Sequence, residues 1–205
     1  ALILSHGHID HVGRVPRLTM AGFDGPIFTQ RATADLLPIM LLDSASLQEN
    51  EAERSNRKRK PGQAKAVPLY TRDDVRDALS QLRPLDYAAR TQILEGVEIA
   101  FRDAGHILGS AIVELWADGK KLVFSGDLGM HGTPILRDPT TVIDADLLLM
   151  ESTYGNRNHK QRSDTIAELG EILDAAWRDH GNVLIPAFAV GRTQELLYWF
   201  ARHWN

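Results

Sequence analysis

One hexapeptide near the start of the chain limits what it can be. His6-Gly7-His8-Ile9-Asp10-His11 puts three histidines and an aspartate directly after the apolar run Leu2-Ile3-Leu4. An apolar run that feeds into polar residues reads as a buried strand. Alternate side chains of an extended stretch point the same way, so His6 and His8 can converge on one point. Asp10 and His11 are adjacent and open a helix expected over residues 10–20, which re-aims them. Imidazole and carboxylate are zinc ligands. Four ligands packed this closely suit two ions better than one tetrahedral ion that also keeps an open position. The bland alternative is a surface or helix-capping histidine cluster.

Two later segments have the look of partners. His106 sits in Ala104-Gly105-His106-Ile107-Leu108-Gly109-Ser110, just after a strand and between glycines. Asp127 sits in Ser125-Gly126-Asp127-Leu128-Gly129, at the end of a hairpin's second strand. Ligands on loops at strand ends over a rigid sheet are how sites are commonly built. Alone, each residue reads as a turn or structural residue; beside the first motif, each becomes a candidate ligand. Ser5, Ser125 and Thr153 are close enough in sequence to orient the imidazoles.

Composition narrows the class. Lys+Arg 23 against Asp+Glu 27 leaves a net charge of −4, so a polyanionic partner needs a local basic patch. Such a patch exists in sequence: Arg54, Arg57, Lys58, Arg59, Lys60 and Lys65 fall within twelve residues that hold no acid. It reads as a solvated loop or as a nucleic-acid contact. The chain has no cysteine, which excludes disulfides, cysteine zinc sites and a cysteine nucleophile. Its absence fits a reducing compartment, and a cytoplasmic location is expected. No apolar run approaches the ~18 residues of a membrane span.

Strands are expected at residues 26–29, 85–87, 97–102, 111–116, 121–125, 145–150 and 183–185, with Leu147-Leu148-Leu149 buried on both faces. Helices are expected at 32–53, with Pro38 as a kink, from Thr71, at 164–178 and from Thr193 to Asn205. Asp74 completes a capping box with Thr71. Ser163 is the expected N-cap of the 164–178 helix and Gly181 its terminator. Residues 54–68 read as loop. Asp118-Gly119 between two strand patterns is a hairpin signal. Alternating strands and helices with one hairpin imply a mixed α/β layered fold. The apolar start reads as a strand in progress, and the end falls within a helical pattern. The expectation is a fragment incomplete at both ends.

With these residues in view, the chain resembles the metallo-β-lactamase fold: the His-x-His-x-Asp-His motif at 6–11, the isolated His106 and the Asp at 127. Within that superfamily it resembles the β-CASP branch of RNA- and DNA-processing nucleases. The residues that carry this are Glu151-Ser152-Thr153-Tyr154-Gly155 with His159, and the run from Ile185-Pro186-Ala187-Phe188 through Gly191-Arg192-Thr193-Gln194-Glu195 to Leu197. The resemblance implies an αββα sandwich with mixed sheets, residues 1–190 forming the metallo-β-lactamase-like domain and 191–205 the start of a β-CASP domain. It implies two Zn2+ ions: His6, His8 and His106 on one, Asp10 and His11 on the other, Asp127 bridging. It implies hydrolysis of an RNA phosphodiester by a hydroxide shared between the ions, with Asp10, Asp127 and Glu151 in catalytic roles.

The family also has an upstream Asp and two downstream histidines that this chain does not present, and His203 stands in the wrong context to be either. The chain alone is therefore expected to be inactive. RNA is the expected partner, with single-stranded DNA as a variant, no membrane, and a homodimer left open. Competing readings are a thioester or lactone hydrolase of the same superfamily and an inactive scaffold subunit. Tyr154 and Arg157 are placed where a substrate strand could pass. His131, His180 and His203 read as structural or surface residues, and His159 receives no role.

Overall fold

A computed structural model describes residues 1–203 of the chain. It divides into two compact units, Ala1–Glu151 and the residues from Ser152 onward. The first unit opens with three parallel strands, β1 (Leu2–Ile3), β2 (Ile27–Gln30) and β3 (Leu82–Leu85), in the order β1-β2-β3. Parallel neighbours need long crossovers. Helices α1 (Ile9–Val12) and α2 (Val15–Met20) make the first, and α3 (Arg31–Arg57) and α4 (Arg72–Ser80) the second. A five-stranded sheet follows: β4 (Thr91–Leu94), β5 (Val97–Asp103), β6 (Ala111–Ala117), β7 (Lys120–Phe124) and β8 (Leu147–Leu149). Its pairs are antiparallel except β7 with β8.

The period-2 alternation of β1 builds the layers. Leu2 and Leu4 join Ile27, Val12, Leu37, Leu41 and Val75 in a core between the first sheet and its helices. Ile3 points the other way and, with Phe28 and Leu85, packs on Ile99, Phe101, Ala111 and Val113 of the second sheet. The outer face of that sheet buries Ile112 and Val123 against Ala104, Leu128 and Val142. This is the mixed α/β layered fold expected from the pattern of elements, with its two sheets packed face to face as the family resemblance implies. Thr71 and Asp74 form the expected capping box. Asp118 (φ 51°) and Gly119 (φ 70°) are both left-handed at the β6–β7 turn, as a tight two-residue hairpin requires.

Several local expectations are corrected. The helix expected over 10–20 is two helices, because Pro16 lacks an N–H and begins a new one. Helix α3 carries through Pro38 and runs on to Arg57, so Arg54 and Arg57 lie on its last turn rather than in a loop. Strand β3 ends at Leu85, and Tyr87 makes only an isolated bridge to Phe101. Strand β4 had too little alternation to be noticed. Leu147, Leu148 and Leu149 are each about half exposed; among the described residues β8 pairs with β7 alone, at the edge of its sheet. Residues 183–185 form no strand: they are extended in sequence pattern but have no ladder partner among the described residues.

The second unit contains α5 (Arg162–Arg178) and α6 (Arg192–His203). The N-cap of α5 is Gln161 rather than Ser163, whose hydroxyl instead meets Asp164. Gly181 N–H returns to Ala176 C=O and closes the end of α5. The last two residues of the expected terminal helix, Trp204 and Asn205, lie outside the described residues. Arg157 stacks over Tyr154, 4.4 Å from the ring centre, and His159 meets the same ring edge-on.

Strand β6 carries a buried charge. Glu114 is 4% exposed and accepts from Arg102 Nε at 2.5 Å and Lys121 Nζ at 2.6 Å. Burial pushes its pKa up, but the hydrogen bonds from Lys121 and Arg102 outweigh that and hold it below the ordinary value. Glu114→Gln leaves two cations facing a neutral amide. Both can still reach water, so the expected loss is about 2 kcal/mol, below the range for a fully buried pair. Because the folded-state pKa is depressed, this contribution is present above the unfolded-state value of about 4.3 and fades as pH falls below it. Thermal unfolding against pH should therefore show the variant's deficit at pH 7 shrinking toward pH 3.

Candidate metal centre

The two histidines expected to converge do so. His6 Nε2 lies 3.2 Å from His8 Nδ1, and His106 Nε2 lies 3.1 Å from the same His8 nitrogen. Asp127 closes the group: its Oδ2 is 3.7 Å from His6 Nε2 and 3.6 Å from His106 Nε2. One ligand atom from each of His6, His8, His106 and Asp127 fits within 4.8 Å of the others. Its other oxygen, Oδ1, is 3.3 Å from His11 Nε2, and Asp10 Oδ2 is 3.6 Å from that His11 nitrogen. Asp10 and His11 lie outside the four-residue group; His11 meets it at Asp127 and at the His6 ring, whose centre is 4.1 Å from its own.

The chemistry of this donor set fits a divalent cation. At zinc–nitrogen distances of ~2.0–2.1 Å, the edges of a tetrahedron are about 3.3 Å. The nitrogen separations above match that spacing. Three imidazole nitrogens facing one another gain little as mutual hydrogen-bond partners, since each pair shares at most one proton. Burial, aided by His11, His106 and His8, pulls the His6 pKa down to about 3. Burial and His8 also lower His106, while Asp127 and Glu151 pull it the other way. Neutral imidazole is the form that binds metal.

The fold holds these side chains from behind. Ser5 Oγ is 3.1 Å from His6 Nδ1, which turns Nε2 toward the group. Of the three hydroxyl residues named from sequence, Ser5 is the one that touches an imidazole. Ser125 Oγ instead accepts from Glu151 N–H at 3.0 Å and donates to Gly126 C=O. The His106 loop is pinned at both ends. Ser110 Oγ accepts from the N–H groups of His106 and Ile107, Ala111 N–H reaches Ser5 C=O, and Thr33 Oγ1 donates to Gly109 C=O. Gly109 has φ +82°, and an added Cβ would meet the Thr33 amide nitrogen at 2.3 Å, so glycine is required there.

Glu151 stands at the end of β8, as its place after an apolar strand implies. Its Oε1 accepts from Leu128 N–H, the residue after Asp127. Sequence reasoning missed Ser110 and Thr33. Ser110 could have been found from its place beside Gly109 at the end of the His106 loop. Thr33 carries no signal except in three dimensions.

With fold and geometry established, comparison with known families defines the class: residues 1–171 match the metallo-beta-lactamase superfamily, and the chain belongs to it. Among its relatives, Ribonuclease TTHA0252 of Thermus thermophilus is 40% identical over 99% of this chain and 43% of its own length. The transcription termination factor FttA of Methanocaldococcus jannaschii is 31% identical over the whole chain and 31% of its own length. An RNase J-like protein of the same archaeon is 33% identical over 96% of this chain and 42% of its own length. The chain spans less than half the length of these relatives. Their names agree with the resemblance to RNA-processing nucleases. Among the described residues, no helix is long and apolar enough to cross a membrane.

Proposed function

We propose that this chain forms the metal-binding part of a β-CASP ribonuclease, a zinc-dependent phosphodiester hydrolase acting on RNA. Residues 191–205 would begin its second domain. The observation that carries this reading is the division of the Asp127 oxygens, one toward His6 and His106 and the other toward His11. A carboxylate so placed suits a pair of ions. His6, His8 and His106 would hold one, Asp10 and His11 the other, and Asp127 both. When bound, such ions acidify water and neutralise charge on the phosphoryl oxygens.

The remaining groups act on geometry. Ser5 holds the His6 ring in place through its Nδ1, and Ser110 keeps the His106 backbone from drifting. Glu151, held against the Asp127 loop through Leu128, is in reach of a role in proton transfer at the same site. The printed names of the relatives, a ribonuclease and a termination factor, support RNA as the substrate class. The lack of cysteine fits a cytoplasmic setting.

The deciding test sets zinc-loaded full-length protein against an RNA oligonucleotide, a thioester and a lactone. Expected is RNA hydrolysis favoured by at least a hundredfold in kcat/KM, lost on chelation and restored by zinc. Intact RNA alongside thioester or lactone hydrolysis would move the protein to the small-molecule branch. A preparation that takes up no zinc would favour a scaffold role.

A further inference from the structure

Helix α3 connects the metal centre to a strongly basic loop. Near its start, Thr33 donates to Gly109 C=O beside the His106 loop. The helix ends at Arg57, about 36 Å further on at ~1.5 Å per residue. There Arg54, Arg57, Lys58, Arg59, Lys60 and Lys65 are all exposed. Glu53 pairs with Arg57, while among the described residues Arg54, Lys58, Arg59, Lys60 and Lys65 make no ion pair. The loop is built rather than loose. The Asn56 side chain donates to Ala66 C=O at 2.8 Å and accepts from Ala66 N–H at 2.9 Å, closing residues 57–65 into a ring. Inside it, Gln63 Oε1 accepts from Lys60 N–H and Gln63 N–H returns to Lys60 C=O.

We propose that this loop is an RNA exosite, holding the phosphate backbone of a strand whose other end lies at the metal centre. The inference rests on the RNA-hydrolase reading above. Lysine and arginine displayed without carboxylate partners bind phosphates through counterion release, without reading sequence. Residues 54–65 include no aromatic or branched aliphatic side chain. The loop therefore offers neither the apolar anchor of a protein hot spot nor the apolar face of a membrane-surface helix. A stacked strand advances ~3.4 Å per nucleotide, so about ten nucleotides span the distance from the site to the loop.

The test replaces Lys58, Arg59 and Lys60 together by Gln in the full-length protein. First, binding of a 20-nucleotide RNA is measured in chelator across a salt series, so that cleavage plays no part. Each lost phosphate contact removes ~0.7 from the log–log salt slope, so the slope should become shallower by about 2 and low-salt affinity should fall at least tenfold. Second, with zinc present, kcat/KM for the 20-mer should fall at least fivefold while that for a four-nucleotide RNA changes less than twofold. An unchanged salt slope overturns the exosite, as does an equal loss of cleavage for both lengths. So does an unchanged RNA slope accompanied by lost binding to polyglutamate, which would mark an acidic protein partner. If the unsubstituted protein binds no RNA, the proposed function fails and the exosite with it. If it binds RNA with the expected slope change but cleaves none, only the hydrolase reading fails.

Discussion

On the two-ion reading proposed above, replacing Asp127 by alanine should lower RNA hydrolysis by the full-length protein on the order of 10^3-fold and reduce its bound zinc from two ions toward one. The expectation follows from what this carboxylate alone contacts. It is within 3.3–3.7 Å of three imidazoles, two from the opening hexapeptide and one from the His106 loop. Without it, His6, His8 and His106 remain as three nitrogen donors, enough for one weakly held ion. His11 keeps its ring contact with His6 but loses the carboxylate that would share a second ion with it, and Asp10 is 76% exposed at its side chain, a poor anchor by itself. Asp127→Asn should behave almost as badly. The amide keeps the shape but offers a single oxygen and no charge, so it cannot serve both sides. Metal content by elemental analysis and kcat/KM on one RNA decide the matter together. A variant that keeps two zinc ions and hydrolyses within tenfold of the parent would show that Asp127 only balances charge among the histidines.

Much of this site was legible because its geometry is local. His6 and His8 converge two residues apart on the short connection between β1 and α1, and the helix start at Ile9 is what swings Asp10 and His11 aside. The glycines around His106 and Asp127 marked sharp turns, and Gly105 and Gly126 do adopt left-handed backbone. What escaped depends on neighbours distant in sequence. The apolar run Leu147–Leu149 looked like a strand buried on both faces, yet hydrophobicity reports a preference for cover and not the presence of a covering element. The strand pattern at 183–185 failed for a related reason, since a strand exists only with a ladder partner. The extension of α3 past residue 53 was hidden by its charge. Lys and Arg are good helix formers, and at a C-terminus they complement the helix dipole. Thr33 holds the His106 loop through one hydrogen bond to Gly109, between residues whose proximity only the folded chain creates.

The same reasoning makes Gly129 the most sensitive position outside the ligand set. A Cβ there would stand 1.7 Å from Gly105 C=O oxygen, 2.2 Å from its carbon and 2.9 Å from the His106 amide nitrogen. All three are backbone atoms, so no side chain can rotate away. Gly129 N–H also donates to Ala104 C=O at 2.8 Å, which clamps the two loops at the point of collision. Gly129→Ala must therefore drive the loop of His106 away from the loop of Asp127 by an ångström or more. Overpacking of this kind costs about 3 kcal/mol, and a shift of that size at a reacting site costs on the order of 10^2-fold in rate. Expected are a loss of zinc affinity and hydrolysis of at least a hundredfold, with unfolding at lower temperature. Gly119→Ala separates this from general fragility. That glycine is left-handed, unlike Gly129, but a Cβ there meets nothing within 4 Å. It should cost about 1–2 kcal/mol of stability through backbone strain and leave zinc binding unchanged. Normal zinc content and hydrolysis in Gly129→Ala would mean that the two loops are free to separate, and that the approach of His106 to Asp127 is not what the fold enforces.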